Sequence, residues 1–156
     1  MTALAPATLD HAGIAARVPH SGAMCLLDAL LGWTPERICC RITGHGQADH
    51  PLRLDGTLPS AAALEYASQA TALHGALCSA PGSGPRPGFL ASARRLRLHV
   101  ARLDDRSGAL QLEATRLAGD DAQALYDFTL RDAAGALLAE GRLTVVHGRA
   151  LAAGHA

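Results

Sequence analysis

Residues 50–78 place a histidine-bearing loop directly before a long apolar segment that carries a carboxylate. Ala and Leu dominate residues 60–77, and small or apolar side chains occupy almost every face, which predicts a helix buried on most sides. Glu65 and Gln69 nevertheless lie one turn apart on the same face. Burying a carboxylate is costly unless it is paired or used. Glu65 and the nearby His50 are therefore the first candidates for acid–base chemistry.

The loop before this helix contains four residues that form turns or break helices. They are Pro51, Asp55, Gly56 and Pro59. We expect the helix to begin at Pro59 or Ser60, because proline fits the first helical turn, where an N–H group has no helical partner. Asp55 or Thr57 could supply a capping oxygen.

Composition predicts one globular domain: 156 residues with 49% hydrophobic and 18% charged side chains can bury a single core. A formal net charge of zero does not indicate a nucleic-acid partner. The sequence begins with no signal-like pattern and contains no apolar run of membrane-spanning length, so we expect a cytoplasmic protein without membrane association. We place the domain at residues 10–148, with flexible termini at 1–9 and 149–156.

The four cysteines, Cys25, Cys39, Cys40 and Cys78, have no metal-ligand spacing. We interpret them as small buried hydrophobic residues in a reducing compartment, and we expect neither a metal site nor a cofactor.

Alternating apolar residues and turn signals predict six strands, at residues 24–33, 37–43, 88–100, 110–117, 124–131 and 137–146. A short helix at 10–17, capped by Asp10, precedes them, and a change of parity predicts a bulge near Arg94 and Arg95. The order is then a hairpin, the long helix and four strands in a meander. One apolar helix among six strands requires a curled antiparallel sheet around it, which is an α+β architecture.

Four features together resemble the hotdog-fold beta-hydroxyacyl-acyl-carrier-protein dehydratases over about residues 14–147. They are Val18-Pro19-His20 with Leu26-Leu27-Asp28, His50-Pro51, Pro59 followed by Glu65 and Gln69, and Gly88-Phe89-Leu90. A wider set is similar to the divergent dehydratases of aryl-polyene and xanthomonadin-type pigment clusters. That set is His50-Pro51-Leu52, Asp55-Gly56, Leu58-Pro59, Glu65-Tyr66, Gln69, and the segments at 87–90, 97–100 and 137–143.

The resemblance implies dehydration of 3-hydroxyacyl thioesters, carried on acyl carrier protein, to trans-2-enoyl thioesters. It implies that His50 is the base and that Glu65 is the acid or orients water, which suits Glu65 if burial keeps it protonated. Backbone N–H groups of Ser60 and Ala61 would stabilise the thioester oxygen.

The same residues have simpler interpretations. Most loop histidines are solvated, and the chain has eight. Glu65 could be a buried structural acid held by an arginine or by His20. Gln69 is expected to position backbone or substrate, and Tyr66 to line the core or the substrate pocket. Asp55 is expected in a turn or cap.

The resemblance also implies partners. Hotdog proteins pair a sheet edge with a second subunit, so His50 and Glu65 would meet across an interface of a homodimer or a heterodimer. Arg94 and Arg95 could contact the phosphopantetheine phosphate or acidic helices of the carrier protein, or simply form a solvated edge.

Two other functions compete with dehydration. Glu65 could activate water in an acyl thioesterase, where His50 would be less essential. The chain could instead be a non-catalytic subunit of a heteromeric dehydratase. Pro51 and Ser60 keep that possibility open, since the housekeeping dehydratases have phenylalanine and glycine at these positions.

Overall fold

The computed structural model describes residues 9–18, 22–79 and 88–147. Seven antiparallel strands form one sheet around a long helix, which confirms the predicted α+β hotdog architecture. The elements are β1 (Leu9–Asp10), α1 (His11–Ala15), β2 (Ala29–Thr34), β3 (Arg37–Ile42), α2 (Ala63–Cys78), β4 (Gly88–Leu98), β5 (Leu110–Gly119), β6 (Gln123–Arg131) and β7 (Leu137–His147). Residues 19–21, which include His20, residues 80–87 and most of both predicted termini lie outside the described residues.

The strand order in the sheet is β1-β2-β3-β5-β6-β7-β4. The predicted meander is confirmed for β5, β6 and β7, but it is wrong for β4, which pairs with β7 rather than with β5. The reason is that β3 occupies the edge of β5, so β4 pairs along the other side of β7. β4 therefore forms one edge of the sheet.

The predicted bulge in β4 is confirmed. The pairing with β7 shifts between Arg94 and Arg97, and Arg95 has a left-handed backbone with φ of 52°. Arg94 pairs with Arg142 and Arg97 pairs with Glu140, so simple alternation across these arginines does not hold.

Helix α2 lies in the core, as its composition predicts. Among its sixteen residues only Cys78 is exposed. A 3-10 turn at Ser60–Ala62 precedes it, and no side chain caps either start, so the expected cap from Asp55 or Thr57 is wrong. In the described ranges, no helix is both long and apolar enough to cross a membrane.

Residues 24–27, predicted as the start of a strand, are not part of one, and bonding to β3 begins with Asp28 N, which donates to Arg41 O at 2.9 Å. Side chains from two helices bond to backbone groups of residues 24–26 instead. Gln69 of α2 accepts from Leu26 N and donates to Met24 O, and His11 of α1 bonds to Cys25 O. The predicted cap of α1 is confirmed, since Asp10 accepts from Gly13 N at 2.9 Å.

All four cysteines are free. Cys25, Cys39 and Cys40 are buried as predicted, and burial raises the pKa of Cys39 to about 11 and that of Cys40 to about 12. Cys78 is exposed, because it is the last residue of α2, so the prediction of burial is wrong there.

Candidate active site

The loop that carries His50 folds back on itself through a tight turn. Leu54 and Thr57 exchange two backbone hydrogen bonds, at 2.8 and 3.0 Å, around Asp55 and Gly56. Both central residues have positive φ, 51° and 79°, which is the geometry of a type I′ turn and explains the Asp-Gly pair. Asp55 is thus a turn residue, one of the two roles expected for it.

His50 is buried, with 7% of its surface exposed, and both ring nitrogens are engaged. Nδ1 accepts from the backbone N of Leu52 at 3.1 Å, and Nε2 lies 3.0 Å from the hydroxyl of Tyr66. Because a backbone N–H can only donate, Nδ1 must be unprotonated, and the neutral ring carries its proton on Nε2. In this conformation His50 is therefore a hydrogen-bond donor to Tyr66.

The surroundings of His50 favour its neutral form. Burial lowers the pKa of His50 below its usual value, and the charge of Arg53 and the neighbouring His45 lower it further, while Asp49 acts in the opposite direction. A protonated ring would also place an Nδ1 proton against the Leu52 N–H group. His50 is consequently neutral near pH 7.

Glu65 lies in the first turn of α2 and is bonded to Gln69 one turn later, as their spacing predicts. Gln69 is fully buried. Its Nε2 donates to Glu65 Oε1 at 3.1 Å and to Met24 O at 2.6 Å, while its Oε1 accepts from Leu26 N at 2.8 Å. Both amide N–H groups are thus used within the protein. Gln69 therefore positions Glu65 and the backbone at 24–26, and its contact with substrate stays a prediction.

Tyr66 is fully buried beside His50, and burial followed by the charge of Asp28 raises the pKa of its hydroxyl. This matches a role in the core, and its role in lining a substrate pocket stays a prediction. The structure thus brings His50 to Tyr66 and brings Gln69 to Glu65. Glu65 and Tyr66 are consecutive residues of α2.

The start of the helix differs from the predicted oxyanion site. Ser60 N donates to Ala101 O at 3.1 Å, because residues 58–60 pair with residues 101–103. This N–H group is therefore occupied, and Ser60 does not provide the expected donor. Ala61, the next residue, is exposed, and its role stays a prediction.

Arg94 and Arg95 are exposed on the edge strand β4, and their contact with the carrier protein stays a prediction. No group of three or more His, Cys, Asp or Glu side chains suited to a metal ion occurs in the described part of the chain.

The sequence did not single out two residues that organise the His50 loop. Arg53 donates to three backbone carbonyl groups of this loop, and Asp104 accepts from Leu58 N at 2.9 Å. Bonds from a side chain to distant carbonyl groups have no sequence pattern; the only available signal was that Arg53 lies three residues after His50.

Comparison with known proteins identifies the family. The sequence pattern of the ApeP-like family, described as ApeP dehydratase, matches residues 12–154. The chain belongs to the ApeP-like dehydratase family. No curated protein sequence matches it significantly.

Solved structures similar to this ApeP-like chain share its fold. The dehydratase heterocomplex ApeI:P from Xenorhabdus doucetiae matches with a TM-score of 0.74 and 21% identity, covering 90% of this chain and 91% of the other. A thioesterase from Haemophilus influenzae has a TM-score of 0.56 and 18% identity, over 76% of each chain. Thioesterase superfamily member 2 from Mus musculus has a TM-score of 0.54 and 18% identity, over 76% of this chain and 79% of that one.

Proposed function

We propose that this ApeP-like chain dehydrates 3-hydroxyacyl thioesters on acyl carrier protein to trans-2-enoyl thioesters, in a fatty-acid-like or polyene pathway. Membership of a dehydratase family supports the reaction type. The observation that carries the proposal is a neutral, buried histidine bonded to Tyr66, the residue that follows Glu65 on α2. We take residues 10–148 as the domain that performs this reaction.

The reaction removes one proton from C2 of the acyl chain and releases the C3 hydroxyl group, with one proton, as water. His50 and Glu65 are the proposed proton-transfer groups. In the described conformation, Nε2 of His50 carries a proton that it donates to the Tyr66 hydroxyl, and to donate it to the thioester oxygen His50 must first release Tyr66. To act as the base that the family resemblance implies, His50 must first release Nδ1 from the Leu52 N–H group.

A second subunit is part of this proposal. Strand β4 is an eleven-residue edge strand, and four of its large apolar side chains are 36–53% exposed. These side chains are Phe89, Leu90, Leu96 and Leu98. Long exposed edges with apolar residues invite pairing with another strand. We propose a second hotdog subunit at β4, either another copy or a related chain, and the structural match described as a heterocomplex supports the latter.

The proposed test is mass spectrometry of a 3-hydroxyacyl-pantetheine thioester incubated with the protein. Loss of one water without release of free thiol is the expected result. Release of free thiol would indicate thioesterase activity. An intact substrate would favour the non-catalytic subunit, and the assay would then be repeated after capture of a second hotdog chain. Unchanged turnover in His50→Ala or Glu65→Gln would refute the proposed site. The control is Glu36→Gln, in the exposed β2–β3 turn, which should leave turnover unchanged.

The variant His50→Gln separates the two roles of His50. A glutamine amide can donate a hydrogen bond as Nε2 does, but it cannot act as a base. Activity retained in His50→Gln and lost in His50→Ala would assign His50 as a donor, whereas equal loss in both variants would assign it as the base.

Contact with the carrier protein is the final part of the proposal. Arg94 and Arg95 are exposed on β4 and offer guanidinium groups suited to phosphate or carboxylate. Charge reversal at both positions should weaken binding of the carrier protein and reduce its dependence on salt. Unchanged, salt-insensitive binding would exclude this surface.

A further inference from the structure

We infer that Arg53 is a positioning residue for the proposed reaction: it closes the loop around His50 and maintains the histidine in its neutral, buried state. The inference concerns the same site as the proposed function. Its structural part, the state of His50, can be tested whether or not the protein turns over a thioester.

The geometry of Arg53 is that of a bridge across the loop. Its Nε donates to Gln47 O at 2.8 Å, its Nη2 to Gly46 O at 3.0 Å, and its Nη1 to Gly56 O at 2.7 Å. Two of these carbonyl groups precede His50 and one follows it, so one guanidinium group connects both arms of the loop. The planar, five-donor guanidinium suits this task, whereas a lysine ammonium could not reproduce the fork.

Asp104 anchors this bridge to the rest of the protein. Its carboxylate lies 3.8 Å from Arg53 Nη1, accepts from Leu58 N at 2.9 Å and forms an ion pair with Arg102. The Arg102 guanidinium, together with the Leu58 N–H group, lowers the pKa of Asp104, so the carboxylate is ionised at neutral pH. Through Asp104, the His50 loop is connected to residues 101–104, which also pair with the start of the helix.

The charge of Arg53 acts on His50 in the same direction as burial. Three charged or titratable groups of the loop face His50, namely Arg53, His45 and Asp49, and Tyr66 faces it from α2. Arg53 and His45 lower the pKa of His50, and Asp49 raises it. His50 must be neutral to act as a base. It must also be neutral to act as a hydrogen-bond donor through Nε2 while Nδ1 accepts from Leu52 N. Arg53 therefore supports position and protonation state together.

Two substitutions of Arg53 separate these effects. Arg53→Gln removes the charge, so the pKa of His50 should rise. Arg53→Lys keeps the charge but loses the fork, so the pKa should stay near the wild-type value while the loop loosens. The measurement is the NMR titration of the His50 ring, assigned by comparison with His50→Gln. Arg131→Gln is the matched control, because the Arg131 side chain donates to the carbonyl of Gly135 in the exposed β6–β7 turn.

In the kinetic experiment, kcat/KM is measured as a function of pH. The acidic limb of this profile should move to higher pH in Arg53→Gln but not in Arg53→Lys. Both variants should lose roughly ten- to a hundred-fold in kcat, the scale expected when a reacting group is misplaced by about 1 Å. A His50 titration that is unchanged in Arg53→Gln would overturn the inference. If wild type shows no turnover but the titration moves as expected, only the proposed function fails.

A further variant covers the case in which Arg53→Gln does not fold. Asp104→Asn removes the carboxylate that anchors Arg53, so the loop should loosen and the Leu52 N–H group, which donates to His50, should exchange faster with deuterium. An unchanged exchange rate of the Leu52 N–H group in Asp104→Asn would contradict the positioning role of this bridge.

Discussion

Gln69 offers a direct test of how the buried helix is joined to the segment at residues 24–26. The substitution Gln69→Leu keeps a similar volume but removes the amide. Leu26 N–H, in a residue that is only 8% exposed, then loses its acceptor, and Met24 O loses its donor. Glu65 loses the N–H group that positions it.

The magnitude follows from the burial of these groups. A buried polar group left without a partner costs roughly 1–3 kcal/mol. Leu26 N–H should incur this cost in full, whereas water can partly replace Gln69 at the half-buried Met24. We therefore expect Gln69→Leu to lower the free energy of unfolding by about 2–4 kcal/mol, out of roughly 5–15 kcal/mol for a typical domain.

The assay is equilibrium unfolding in urea, followed by circular dichroism at a fixed protein concentration, because an oligomer would make the midpoint depend on concentration. Gln123→Leu is the control, since Gln123 is exposed in β6 and should change stability by no more than about 0.5 kcal/mol. A loss in Gln69→Leu no greater than in Gln123→Leu would refute this account of Gln69.

Three further predictions concern the core and the edge strand. Burial lowers the pKa of His74, which bonds to Tyr126 and Thr34, so the free energy of unfolding should fall as pH drops below about 6.5. The fluorescence of Trp33, whose ring centre lies 6.4 Å from that of His74, should report this, and an unfolding midpoint that is constant from pH 7 to 5 would contradict it. Gly141→Ala should cost about 1–3 kcal/mol in thermal or urea unfolding, because its Cβ would lie 3.0 Å from the buried Phe128 ring, whereas Gly88→Ala, with a contact of 3.4 Å, should cost less. Phe89→Glu on β4 should lower the oligomeric mass measured by light scattering, and an unchanged mass would exclude β4 as the subunit interface.

The central helix could be predicted because its signal is local. A run of Ala and Leu specifies a buried helix, and the four-residue spacing of Glu65 and Gln69 specifies their contact. The bulge at Arg95 and the turn at Asp55 and Gly56 were equally local, since each depends on a break in alternation or on a residue pair that tolerates positive φ.

Features that depend on distant residues were not predictable in the same way. The N–H group of Ser60 is occupied by Ala101, forty-one positions further along the chain, and no pattern near Ser60 indicates this. The position of β4 beside β7 follows from competition for strand edges across the whole sheet. The buried bond between His74 and Tyr126, on α2 and β6, likewise joins residues whose own surroundings in sequence give no sign of it.

The two proposed proton-transfer groups are supported by separate sets of contacts. Gln69 connects Glu65 to residues 24–26, whereas Arg53 and Asp104 connect the His50 loop to residues 101–104. Neither set uses the edge of β4, where the second subunit is proposed. If the active site is completed across that edge, each chain must position its own His50 and Glu65 before the subunits assemble. The two sets of contacts lie within one chain and can therefore do this. Breaking the edge should therefore dissociate the subunits without moving the His50 titration, whereas changing Arg53 should move the titration without dissociating them.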